Sequence, residues 1–110
     1  MNIDYSQLIT ADDKAQQAAV AARDAWKARR AEAVRAIKVT TTGGRVFDGD
    51  EASQGRMARA ILGLQEAGEG ATVTWVLADN TPVAVTAAEL AEALKLAGAE
   101  QARLWVADHE

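Results

Sequence analysis

The chain has 110 residues, a net charge of −4 and a nearly half-hydrophobic composition in which alanine dominates and large apolar side chains are few. That fits one domain with a small core, helped by packing against another subunit or partner. The lack of cysteine excludes a disulfide frame and a thiolate metal site, and the acidic start "MNIDYSQLITADDK" excludes an ordinary secretory signal.

No apolar run approaches the roughly 20 residues of a membrane span, so a soluble protein made without export is expected. The charge is divided along the chain. Residues 1–22 are weakly acidic, Arg23 to Lys38 hold six bases against Asp24 and Glu32, and residues 39–110 hold eleven acids against five bases. The ends of the molecule can therefore attract one another or oppositely charged partners.

From Ala11 to about Lys38 the composition predicts one long helix. Alanine and straight-chain polar residues fill it, with no proline or glycine. Thr10 or Asp12 can cap its start, and the acids of the first turn suit the helix dipole. Its apolar face is small: Ala15, Ala19, Ala22, Trp26, Ala33 and Ile37 recur at three- and four-residue steps. At about 25 cal/mol per Å² of apolar surface, such a stripe gains little by burial and calls for a neighbour. The helix either projects from the domain or folds back on it.

"IKVTTTGGRVFDG" changes period. β-branched residues, then Gly43-Gly44, then Val46-Phe47 predict a short hairpin. The acids that follow, Asp48, Asp50 and Glu51, invite comparison with an EF-hand calcium loop. Counted from Asp48, the required positions hold Asp48, Asp50, Ala52, Ser53 and Arg59, and three of the five fail. Helix capping fits better. Asp48 with Glu51 resembles a capping box, and Asp50 is an alternative cap. The helix expected from Glu51 to Ala67 buries Met57, Ala60, Ile61 and Leu64, and Gly68 and Gly70 end it.

"TVTWVLADNTPVAVT" is the clearest strand signal. Val73, Trp75 and Leu77 point one way and Thr74, Val76 and Ala78 the other, with a turn at Asp79-Asn80 and a returning strand from Pro82. Thr86 and Glu89 form a further capping-box pair. They start a helix with Leu90, Ala93, Leu94 and Ala97 on one face, stopped near Gly98. A last short helix, Glu100 to Val106, offers Leu104 and Trp105 to the core. The expected class is α+β: a small antiparallel sheet of two hairpins with helices on one face (39–110), preceded by a segment with the long alanine-rich helix (1–38).

Catalytic parts are missing. His109, the sole histidine, is the penultimate residue, and Ser6 and Ser53 lack the set of partners a Ser-His-Asp triad requires. Glu89 and Glu92 read as solvated charges on a helix surface. "GGRVFDG" lacks the Lys-Ser/Thr of a phosphate loop. No enzyme, cofactor or metal is expected. Arg23 to Lys38 would suit a phosphate backbone, but the rest of the chain is acidic and no aromatics alternate with the bases, so protein contact ranks above nucleic acid. Trp75 and Trp105 read as core. Trp26, flanked by Lys27, Arg29 and Arg30, divides between core and interface, because aromatics beside arginine compose interface hot spots. Arg23, Trp26, Lys27 and Arg30 are the candidate partner surface.

The runs "RVFDGDEASQGRMARAI" and "TVTWVLADNTPVAVTAAELAEAL", with a closing "LW", resemble a phage-associated domain family of unknown function. That family occurs in tail-fibre proteins and in small proteins encoded beside them. The likeness covers residues 38 to about 106, and the preceding Ala/Arg-rich helix looks like the segment that commonly precedes such domains. Matching positions are Asp50, Ser53, Arg56, Met57, Trp75, Asp79, Asn80, Thr86, Leu90 and Trp105, all with cap, turn or core roles. Unlike in many fibre-borne copies, no fibre shaft is expected here. The resemblance implies a tail-fibre or other tail protein as partner and a role as assembly factor or chaperone, with a structural tail component as the alternative. It places the protein in the host cytoplasm during assembly or in the virion tail. A host-directed or nucleic-acid-binding small protein ranks third. Self-association through the first helix, in coiled-coil fashion, is a further expectation, and no membrane partner is expected.

Overall fold

The structure, a computed structural model, describes residues 10–107. Tyr5, Ser6 and His109 lie outside the described residues. In chain order the elements are α1 (Ala11–Arg35), β1 (Lys38–Thr40), β2 (Val46–Asp48), α2 (Glu51–Ala67), β3 (Thr72–Val76), β4 (Pro82–Thr86) and α3 (Ala87–Val106). The class is α+β, as expected. The hairpins form separate two-stranded antiparallel sheets, β1–β2 and β3–β4. A single backbone bond joins them, from the Ala78 N–H to the Val46 carbonyl at 3.0 Å.

α1 starts at a complete capping box. The Thr10 hydroxyl accepts from the Asp13 N–H at 3.1 Å, and the Asp13 carboxylate accepts from the Thr10 N–H at 3.3 Å. The helix ends at Arg35, short of Lys38, because Lys38 already begins β1. Every residue from Thr10 to Ala25 is exposed, so α1 projects over that length. Only its last turns are covered: Trp26, Arg30 and Ala33 are half-buried and Val34 is buried, with Ile37 buried just beyond the helix. The alanine stripe is thus divided, its first part open and its end docked on the domain.

The core lies between the two hairpins and the α2–α3 pair. Phe47, Met57, Val85 and Leu90 are its largest fully buried side chains, ringed by Val34, Ile37, Val39, Leu64, Leu77, Ala93 and Ala97. The β3 alternation follows the sequence reading from Thr74 to Leu77, with Trp75 half-buried and Leu77 buried while Thr74 and Val76 face out; at the ends it departs, since Val73 is exposed and Ala78 half-buried. The register Thr72↔Thr86, Val73↔Val85, Thr74↔Ala84, Trp75↔Val83 and Val76↔Pro82 places Pro82 at the start of its strand. Asn80 takes the left-handed turn position at φ 67°.

Two expectations at the end of the chain are corrected. Gly98 does not stop a helix; α3 runs through it as one 20-residue element, so no separate short helix exists over Glu100–Val106. A mid-helix glycine costs about 1 kcal/mol against alanine, too little to break a helix held on both sides of it by buried Leu90, Ala93 and Ala97 and half-buried Leu104. Trp105 is 48% exposed and not core.

Gly49 is the tightest point. A Cβ there would lie 2.6 Å from Ile37 Cγ2 and 2.9 Å from Ala97 Cβ. Gly49→Ala should therefore destabilise the protein by about 1–3 kcal/mol through overpacking. Urea denaturation followed by circular dichroism measures this, and an unchanged midpoint would show that the junction yields.

Candidate functional site

The three acids Asp48, Asp50 and Glu51 take different partners. Asp48 ends β2 and pairs with Lys38 at 3.1 Å, so it is a strand residue and no helix cap. Asp50 holds the N-cap position of α2, but its carboxylate accepts from the Ser53 hydroxyl and caps no backbone N–H. Glu51 accepts from the Gln101 side-chain amide at 2.6 Å. Gln54 completes the link between α2 and α3, donating to the Gln101 side chain at 2.7 Å and to the Gly49 carbonyl at 2.9 Å. Among the described residues no three His, Asp or Glu side chains group as metal ligands do.

Glu89 and Glu92, read from sequence as solvated, dock the first hairpin. Thr86 caps α3 by accepting from the Glu89 N–H at 3.2 Å, which is half of the expected box. The Glu89 side chain instead holds Arg45 at 2.8 Å and receives the Thr41 hydroxyl at 3.4 Å. Glu92 accepts from the Thr42 N–H at 2.8 Å and its hydroxyl at 3.2 Å. Arg45 also donates to the Ala84 carbonyl at 3.0 Å, tying β2 to β4. These carboxylates are occupied in holding the fold and leave no free acid–base pair. The signal missed in the sequence was Arg45, the one base between Lys38 and Arg56, which needed an acid from elsewhere in the chain.

The candidate partner surface divides in two. Trp26 and Arg30 sit at the junction of α1 and α3. The indole N–H of Trp26 donates to the Ala107 carbonyl at 3.2 Å. The Arg30 guanidinium lies over the Trp26 ring at 4.5 Å and over the Trp105 ring at 3.8 Å, both within cation–π range. These contacts join helices of one chain at a half-buried junction, so Trp26 is not part of the fully buried core. Arg23 and Lys27 are exposed and make no hydrogen bond or ion pair with another described residue. Trp105 and the Ala107 carbonyl were missed, because nothing in a local pattern tells that a distant helix end will meet Trp26.

Beside this junction an open groove of about 500 Å³ runs between the start of α2 and the end of α3, lined by Glu51, Gln54, Gly98, Gln101 and Trp105. No described residue in it offers an activated nucleophile or an unpartnered buried acid.

With that geometry in view, comparison with known families gives one result. Residues 12–107 match the domain of unknown function DUF4376, and the chain belongs to that family. The match includes α1, whose docked end is thus part of the unit the family shares. No curated protein and no solved structure matches the chain.

Two expectations follow from these contacts. Arg30→Gln should lower stability by about 1 kcal/mol through loss of both ring contacts. Hydrogen exchange should quicken at the N–H groups of residues 26–34 and stay unchanged in the hairpins; uniform quickening would place Arg30 in the global fold.

Asp50 titrates below the ordinary aspartate range, chiefly because the Ser53 hydroxyl donates to its carboxylate, with Arg56 adding positive charge and burial opposing. A lowered folded-state value stabilises the fold above the unfolded value of about 3.9 and loses that contribution as pH falls through the folded one. Asp50→Asn should therefore cost stability at neutral pH and progressively less in acid. Denaturation midpoints from neutral to acidic pH measure it; a pH-independent difference would assign the effect to packing.

Proposed function

We propose that this is a non-enzymatic phage tail protein that binds the tail fibre as an assembly factor. The observation that carries the reading is the exposed first part of α1, where Ala15, Ala19 and Ala22 present a smooth face that nothing in the described chain covers. Small side chains let a second backbone come close, while Asp12 and Asp13 at one end and Arg23 and Lys27 at the other supply charges that set orientation. A partner helix from the fibre protein, or from a second copy, would supply the area the alanines lack. The family likeness drawn from "RVFDGDEASQGRMARAI" and the closing "LW" supports the tail context, and no enzymatic step or cofactor enters the reading.

Retention in the virion as a structural tail component is the second reading. It is favoured by the α1–α3 junction, where Trp26 and Arg30 anchor the helix to the domain as a fixed strut would be anchored.

Co-expression with the neighbouring tail-fibre protein tests the main proposal. The full chain should co-purify with the fibre or raise its soluble yield. A variant carrying Ala15→Glu, Ala19→Glu and Ala22→Glu should lose this while melting as the parent does, since glutamate suits a helix surface. No complex and no change in fibre solubility would refute both readings. Mass spectrometry of purified virions separates them: absence supports the assembly role, and stoichiometric presence supports the structural one.

A further inference from the structure

The four strands differ in how their outer edges are treated. In the β3–β4 hairpin the Leu77 N–H donates to the Thr81 carbonyl at 2.9 Å, which fixes the alternation of the ladder. Trp75↔Val83 and Val73↔Val85 are then the pairs that bond across it. Thr72, Thr74 and Val76 turn their N–H and C=O groups away from β4, and Pro82, Ala84 and Thr86 turn theirs away from β3.

The β4 edge is interrupted at each outward residue. Pro82 has no N–H, the Ala84 carbonyl accepts from Arg45 at 3.0 Å, and Thr86 passes into the cap of α3. In the other hairpin β1 carries Lys38, which pairs with Asp48 of β2. The β3 edge has none of these protections. Thr72, Thr74 and Val76 are exposed, their outward backbone groups have no partner among the described residues, and the strand holds no charge, proline or bulge. Only beyond the strand, at Ala78, does the N–H find an acceptor in Val46. An unprotected edge of uncharged, β-branched residues is a template for another strand.

Charge restricts what can pair there. No lysine or arginine occurs between Arg59 and Lys95, and the edge is flanked by Glu66 and Glu69 before it and by Asp79 after it. None of the three has an ion-pair partner among the described residues. A second copy of β3 laid antiparallel about Thr74 would bring the acidic turn at Glu69 of each copy to the end where the other turns at Asp79, and like charges disfavour that approach. A strand bearing bases at its ends is favoured instead.

We propose that the outer edge of β3 is a strand-addition site for an extended segment of another protein, uncharged and β-branched at its centre and carrying lysine or arginine at each end. The site is separate from the α1 surface and does not depend on the tail reading. At about 3.4 Å per residue the five-residue strand spans about 17 Å, so a short segment engages both acidic flanks at once.

The test titrates the full chain with a synthetic peptide of alternating threonine and valine ending in a lysine at each end, followed by amide hydrogen exchange. Exchange should slow at the N–H groups of Thr72, Thr74 and Val76. The same peptide ending in glutamates, or N-methylated at alternate residues, should bind about tenfold more weakly or not at all. Thr74→Lys, on the solvent face, should keep the fold and weaken binding to a similar degree, whereas the triple glutamate variant of α1 should bind the lysine-ended peptide as the parent does. The proposal is overturned if that peptide fails to slow the three amides at millimolar concentration. It is also overturned if the chain alone forms a concentration-dependent dimer protecting the same amides, which would assign the edge to a second copy.

Discussion

A bare backbone at Gly49 sets how closely the parts of this molecule approach. Its N–H donates to the Ile37 carbonyl at 2.8 Å, extending the β1–β2 ladder by one pair and tying the exit of α1 to the entry of α2. Its missing side chain lets Ile37 and Ala97 close over it. Its carbonyl receives Gln54, which holds Gln101 and thereby α3. One residue thus couples the end of α1, the first hairpin, α2 and α3. With only four large fully buried side chains among the described residues, such close approach substitutes for bulk. Dispersion falls off within about an ångström of extra separation, so small residues must pack tightly if they are to contribute at all.

The polar contacts follow the same economy. The first hairpin has three-residue strands and one fully buried phenylalanine, too little to hold itself in place. Glu89 and Glu92 reach it from one face of α3 and take Arg45, Thr41 and Thr42. Removing a carboxylate there would free a hairpin, and with it the Arg45 contact that closes the β4 edge. The acids on the surface of α3 therefore determine the geometry of strands nearly fifty residues earlier.

What the sequence revealed was what depends on near neighbours. The bounds of α2, the turn at Asp79-Asn80, the alternation in β3 and the Thr86 cap all rest on spacings of two to four residues. The errors share a cause. Gly98 was read as a stop because local propensity disfavours it, but α3 is held by buried contacts on either side. Trp105 was assigned to the core for its size, yet its place was set by Arg30, seventy-five positions earlier. Asp48 was given a cap role by its distance from Glu51 and was instead taken by Lys38 across the hairpin. At the candidate surface, the Arg/Trp composition of α1 marked a contact, but could not tell that Trp26 and Arg30 would meet the end of α3 while Arg23 and Lys27 pair with no described residue.

The docked end of α1 has a consequence for its free part. An isolated helix shorter than about 12–15 residues is marginal in water because nucleation is costly. Here Val34, Ala33, Arg30 and Trp26 fix the last turns against the domain, so the nucleus is already formed and each added residue only propagates it. The Thr10–Asp13 box closes the far end by satisfying its first backbone N–H groups. The exposed stretch between them is held at both limits without burying its own face. That face therefore stays available in a defined orientation, and a partner helix meeting it need not bear the entropy of ordering it.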